Sequence, residues 1–229
     1  MSRQARQAGN WFGTGWTMDV RGQMDRIYSE LPAEEIPWHM AAPPPALVEL
    51  VESGRVAPCR AVDLGCGAGN HAVWLALQGF DVTGLELSAA AVARAQALAQ
   101  AKGAACRFAV VDLLEPGTSF DACFDFGYDW LVLHHVFPAD RPRYAANVHR
   151  MLRPGALYLS VCFSEDDRGI AGDGKHRQPQ LGTQLYLSSE QEIREMFEPL
   201  FDILELATVD VEGTRAPHRA VRALMRNRA

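Results

Sequence analysis

Apolar positions along this chain change period in a regular order after residue 60. Ala61-Val62-Asp63-Leu64 is a short apolar run that ends in glycines and reads as a strand. Asn70 to Gln78 has helical spacing and stops at Gly79. Asp81 to Leu87 reads as a second strand. Ser88 then caps an alanine-rich helix, Ala89 to Lys102, which Gly103 terminates. Cys106 to Val111 and Cys123 to Trp130 are third and fourth strands, and Arg141 to Leu152 is a helix closed by Pro154-Gly155. Ala156 to Phe163 is apolar nearly throughout, as a strand covered on both faces should be. A polar, glycine-rich loop follows from Ser164 to Thr183. Ser188 is the expected cap of a helix with Glu190, Gln191 and Glu192 in its first turn. Ile203 to Val211 and Ala220 to Met225 read as two closing strands.

Strands that alternate with helices predict an α/β fold with a parallel sheet and helices on both faces. Before residue 60 the pattern is weaker. Met24 to Met40 mixes Tyr28, Leu31, Ile36 and Trp38 with charges, and a helix over Ala46 to Ser53 follows three prolines. The residues up to about Val20 read as a mobile segment.

Composition narrows the function classes. The 229 residues are 48% hydrophobic and 22% charged, which suits a globular domain. A formal charge of −6 argues against nucleic acid as a partner. Met1 to Trp16 lacks the apolar centre of a signal peptide, and no apolar run approaches the ~20 residues of a bilayer span, so a cytoplasmic protein without a membrane partner is expected. Cys59, Cys66, Cys106, Cys123 and Cys162 are scattered and read as reduced thiols.

The chemistry centres on Val62-Asp63-Leu64-Gly65-Cys66-Gly67-Ala68-Gly69-Asn70. Glycines at alternate positions let backbone turn and approach a ligand closely. A dinucleotide fingerprint starting at Gly65 would need glycine where Asn70 stands. Asp63 would also oppose a pyrophosphate, whereas it suits a cationic ligand. Glu86, at the end of the second strand, is placed to hold a ribose diol. A nicotinamide oxidoreductase and a catalytically silent nucleotide sensor remain alternatives at this point.

On these residues the chain resembles the class I S-adenosylmethionine-dependent methyltransferases. The resemblance implies a Rossmann-like, seven-stranded, mostly parallel sheet of order 3-2-1-4-5-7-6 with an antiparallel final strand. It implies S-adenosylmethionine as cofactor, S-adenosylhomocysteine as product, and no metal. Asp63 matches the acid that serves the cofactor ammonium, and Gly65, Cys66, Gly67 and Gly69 match the loop around its methionine part. Glu86, with Leu87 beside it, matches the ribose-binding acid. Asp112 and Leu113 match the pair beside the adenine, and Tyr128 falls at the fourth strand's end.

Residues after the fourth strand flank the transferred methyl in this family, which makes Asp129, His134 and His135 catalytic candidates and Trp130 an acceptor contact. A histidine there can be a general base or can simply bond backbone. Asp129 can orient a histidine, bind the acceptor or cap the next helix. Tyr28 and Ile36-Pro37-Trp38 look like the N-terminal cover of the thiopurine, thiol and tellurite-resistance methyltransferases, which puts Trp38 against the cofactor. Lys175, Arg177 and His218 are the remaining substrate-binding candidates, the first two in a long loop. The expected layout is an N-terminal segment and lid over 1–44 and a catalytic domain over 45–229, with a substrate loop at 164–186. The expected protein is a monomer or homodimer that methylates a small molecule at a thiol or other soft atom. Oxygen or nitrogen acceptors, and cofactor binding without catalysis, are the alternatives.

Overall fold

The computed structural model describes residues 20–229 apart from 116, 118, 180 and 215, so the reading of the first residues as mobile lies outside it. The elements in chain order are α1 (Val20–Glu30), α2 (Pro45–Glu52), β1 (Arg60–Leu64), α3 (Asn70–Leu77), β2 (Asp81–Glu86), α4 (Ala89–Lys102), β3 (Cys106–Val110) and β4 (Phe124–Trp130). They continue with α5 (Arg141–Met151), β5 (Leu152–Phe163), β6 (His176–Arg177), β7 (Leu185–Tyr186), α6 (Glu190–Phe197), β8 (Phe201–Val211) and β9 (His218–Asn227). Two short 3-10 turns cover Ala33–Glu35 and Leu133–His135.

The main sheet has seven strands in the order β3-β2-β1-β4-β5-β9-β8. β1 to β5 pair in parallel, and β9 runs antiparallel to both β5 and β8. This is the expected topology, with β6 and β7 forming a separate two-stranded ribbon inside the long loop.

Alternation along β1 divides the core between the two faces. Val62 and Leu64 pack with Tyr144 and Val148 of α5 and Ile193 and Phe197 of α6. Ala61 packs on the other face with Leu47 and Leu50 of α2 and Ala72 and Leu75 of α3. The alanines of α4 have a steric reason. A Cβ on Gly69 would lie 2.7 Å from the Ala95 Cβ, so a larger residue at 95 would push the helix off the glycine loop.

Four boundaries differ from the sequence reading. α1 was hidden among charges, although Met24, Ile27, Tyr28 and Leu31 keep helical spacing. β5 begins at Leu152, because Pro154-Gly155 is absorbed as a bulge: Phe124 pairs with Leu152 but Phe126 with Leu157. β9 runs beyond Ala220–Met225 at both ends. The cap of α6 is Ser189, which forms a capping box with Glu192, while buried Ser188 accepts from the Arg141 guanidinium at 2.8 Å.

The Ser189 cap gives a direct stability test. Ser189→Ala should lower the unfolding free energy by about 1 kcal/mol, read as a reduced urea midpoint with unchanged slope. An unshifted midpoint would place the cap elsewhere.

Candidate functional site

The carboxyl ends of β1 to β4 open onto a cavity of about 520 Å³. In parallel α/β sheets this is the edge where ligands bind. Sheet order lays the walls out in sequence. Asp112 and Leu113 follow β3, Glu86 ends β2, Asp63 and the glycine loop follow β1, and Trp130 ends β4. The cavity brings together Tyr28, Trp38, Asp63, Gly65, Cys66, Gly67, Glu86, Leu87, Asp112, Leu113, Trp130 and His135 from the sequence-derived set.

The glycine loop is held so that its amides serve the protein. Gly65 and Cys66 N–H donate to the Leu85 carbonyl, Gly69 N–H to the Cys66 carbonyl, and Gly67 N–H to Glu86 Oε2 at 3.0 Å. An anion cradle needs such amides free. The glycines themselves answer close approach. A Cβ on Gly65 would meet Val132 Cγ2 at 2.5 Å, and one on Gly67 would meet Tyr28 Oη at 2.6 Å; both residues have positive φ. Gly69 therefore shapes the loop without lining the cavity.

The acids fit a cationic, hydroxyl-rich ligand. Asp63 is buried and its Oδ2 has no hydrogen-bond partner. Burial is the main cause that pushes its carboxyl up to about 7, with the Glu86 and Asp129 charges adding to it. A bound ammonium would reverse that penalty. Glu86 accepts Gly67 N–H and, at 3.0 Å, Ser88 N–H, which aims its carboxylate along the cavity wall and opposes the upward push of burial. Asp112 Oδ1 takes Leu114 N–H at 2.9 Å, and Asn147 Nδ2 donates to the Leu113 carbonyl at 2.8 Å, so the β3 wall is fixed from α5. The open Asp63 oxygen and the Glu86 and Asp112 carboxylates are partners of the kind that an ammonium and hydroxyls need.

The N-terminal segment covers this edge. Trp38 Nε1 donates to Tyr28 Oη at 2.9 Å, and the two rings meet edge to face at 6.5 Å. Asp25 Oδ1 accepts from Ser88 Oγ at 2.6 Å and Ala90 N–H at 3.2 Å, adding a second cap to α4. Gln23 Nε2 donates to the Leu181 carbonyl, which joins the cover to the long loop. Met24, Met40, His39 and His71 also line the cavity and were not identified from the sequence. His71 had a signal in its place one residue into the helix that follows the loop.

Several sequence-derived candidates sit elsewhere. Tyr128 is fully buried behind Asp63, where its hydroxyl favours the ionised carboxylate. Asp129 lies beneath the β4 end, where it accepts from Tyr158 Oη; Tyr158 also meets Tyr144 Oη at 3.2 Å. His134 stacks between His135 and Phe163 and faces the core, so only His135 of the pair reaches the cavity. Lys175 bridges Glu165 at 2.9 Å and Glu192 at 2.7 Å. Arg177 donates to the Gly174 and Ile170 carbonyls, and His218 pairs with Asp167 at 3.1 Å. Loop and strand groups already bond these three, and none of them lines the cavity.

Only the ionised Asp63 can pair with a cofactor ammonium. In the free protein that form prevails above about pH 7. S-adenosylhomocysteine affinity, followed by titration calorimetry, should therefore fall toward tenfold per pH unit below 7 and level off above it. Asp63→Asn should weaken binding at least about tenfold and flatten the profile, while unchanged affinity would remove Asp63 from the ammonium site. Gly67→Ala should likewise weaken binding, since its methyl displaces Tyr28.

Comparison with known proteins agrees with this geometry. Residues 61–155 match the family described as a methyltransferase domain. A probable thiol methyltransferase 2 of Arabidopsis thaliana is 30% identical over 136 residues, which is 58% of this chain and 58% of that protein. The chain thus spans about six-tenths of the length of the first curated relatives it matches. A solved structure described by the conversion of a disulfide bond into a thioacetal group during echinomycin biosynthesis superposes with a TM-score of 0.77 at 26% identity, covering 91% of this chain and 92% of its own. A Burkholderia thailandensis 1,6-didemethyltoxoflavin-N1-methyltransferase with bound S-adenosylhomocysteine shares the fold, with a TM-score of 0.63 at 21% identity over 92% of this chain and 84% of its own. The strand order and these likenesses together show a methyltransferase-like α/β fold, with residues 61–155 matching the methyltransferase domain.

Proposed function

We propose that this protein transfers the methyl group of S-adenosylmethionine to a small thiol or a comparably soft atom. The observation that carries this reading is the contrast between the two ends of the cavity. Three acids, Asp63, Glu86 and Asp112, stand along the cofactor side. The β4 end is walled by Trp130, Met40 and imidazoles that burial keeps uncharged. His71 is held down to about 4 by burial and then by His39, and burial lowers His135 to about 4 against the opposing bond to the Gln184 backbone. Burial and the Arg94 charge also lower His39.

Such imidazoles are too weakly basic to ionise an alcohol before it reacts. A thiol, with an ordinary pKa near 8.5, needs far less help. Sulfur also packs well against an aromatic edge such as Trp130. The relatives named for thiol chemistry support the same acceptor class. The chain's own contribution to rate is to align the acceptor with the methyl and to exclude water beneath the Tyr28–Trp38 cover.

A panel of matched thiols, phenols, alcohols and amines tests this by S-adenosylhomocysteine release. Thiols should give kcat/KM at least about tenfold above their oxygen and nitrogen counterparts. Turnover confined to amines or hydroxyls would overturn the soft-acceptor reading. Tight S-adenosylhomocysteine binding with no turnover of any class would favour a cofactor sensor.

A further inference from the structure

The cavity wall at the β4 end contains a group that the cofactor does not need. His71, one residue into α3, shares that wall with Met40 and Trp130. The same three residues also bound a smaller cavity of about 20 Å³, closed behind them by Pro43, Pro44 and Pro45. His71 therefore stands at the far side of the glycine loop from Asp112 and the adenine wall. One ring nitrogen donates to the Ala42 carbonyl, which fixes both the tautomer and the ring orientation. The other nitrogen is the one left for a ligand of the cavity, which the half-buried ring lines.

We infer that His71 is the catalytic residue that receives the acceptor's proton during methyl transfer. This rests on the thiol reading above. The acceptor sulfur forms the new bond to the methyl carbon as the old carbon–sulfonium bond breaks, and that bond's electron pair stays on the departing thioether sulfur. The S–H pair remains on the acceptor sulfur, and its proton passes to the second nitrogen of His71. Charge balances: one sulfonium cation is consumed and one imidazolium is formed. The proton leaves to solvent once the products dissociate.

The same burial that weakens His71 as a base in the resting protein suits this role. An uncharged ring does not repel the sulfonium when it binds. Loss of the sulfonium charge as the methyl leaves then removes a repulsion that would oppose a positive ring. His39 lies beside His71 on the cover, where Asn70 Nδ2 approaches its ring at 3.5 Å.

Two thiols of nearly equal size and different acidity, ethanethiol and 2,2,2-trifluoroethanethiol, test the assignment in wild type and His71→Ala. With ethanethiol the substitution should lower kcat/KM about 10²-fold. With the more acidic thiol, which gives up its proton unaided, the loss should shrink several-fold. S-adenosylhomocysteine affinity, read by calorimetry, should stay within about threefold, which also reports that the variant is folded. Equal losses on both thiols would make His71 a packing residue and overturn the inference, as would no loss on either. A large drop in S-adenosylhomocysteine affinity would move His71 to the cofactor and overturn it too. Failure of the parent reading is distinct, because it appears as inert thiols in the wild type.

Discussion

A buried carboxylate with one oxygen left unbonded is the constraint around which this edge of the sheet is organised. Asp63 ends β1 in a position where the surrounding chain offers its Oδ2 nothing to bond. An ionised carboxylate in such a place costs several kcal/mol unless something positive arrives. The neighbours increase the cost, since Glu86 lies on the strand to one side of β1 and Asp129 on the strand to the other. Evenly hydrogen-bonded amides in the glycine loop give the site no compensating cradle for anions. The edge is thus preset for a cation that also carries hydroxyls, and both requirements meet in one sulfonium nucleoside.

The cover over this edge is held by an apolar cluster of Ile27, Tyr28 and Ile36 on Ala91 of α4, and by polar contacts around it. Asp25 reaches across to the start of α4, and burial costs it little beside the two N–H and O–H groups it accepts from. Arg94 on α4 answers by donating to the Leu31 carbonyl at 2.7 Å and lying 5.9 Å from the Tyr28 ring centre. Part-buried polar ties of this kind each contribute about 1 kcal/mol. A cover held by several of them can open for cofactor exchange without unfolding the sheet beneath it.

Beneath the β4 end a second set of buried polar groups fixes the acceptor wall. Leu131 takes a positive φ of 61°, which is unusual for a side chain of its size. That turn brings Val132 against the bare Cα of Gly65 and sends His135 into the cavity. The Asp129–Tyr158–Tyr144 chain sits directly under it, and Asp129 is raised by burial to about 6. Asp129 thus acts through the framework. Arg141 performs a related service for the long loop, bonding the Val136 carbonyl and Ser188 while lying 4.7 Å from the Tyr186 ring centre.

Much of this was legible in one dimension. Period changes located the parallel strands, because strands covered on both faces must be apolar whatever their neighbours are. The spacing of Asp63, the glycines, Glu86 and Asp112 located the cofactor wall, because each follows its own strand at the same edge. Local pattern could not locate α1, whose apolar stripe is thin and whose partner, α4, is distant in sequence. Nor could it separate His134 from His135, or Lys175 and Arg177 from true ligand contacts. Adjacent residues on a 3-10 turn point to different environments, and a loop cation is consumed or free according to which carboxylate the fold carries to it. The sequence by itself determined the strands and helices, which rest on short-range periodicity, while the strand order and the cofactor edge were legible only through the family resemblance of its motifs. Only the tertiary structure decided which polar side chains face the acceptor, since that depends on groups such as Ala42, Glu192 and Asp167 brought in from distant segments.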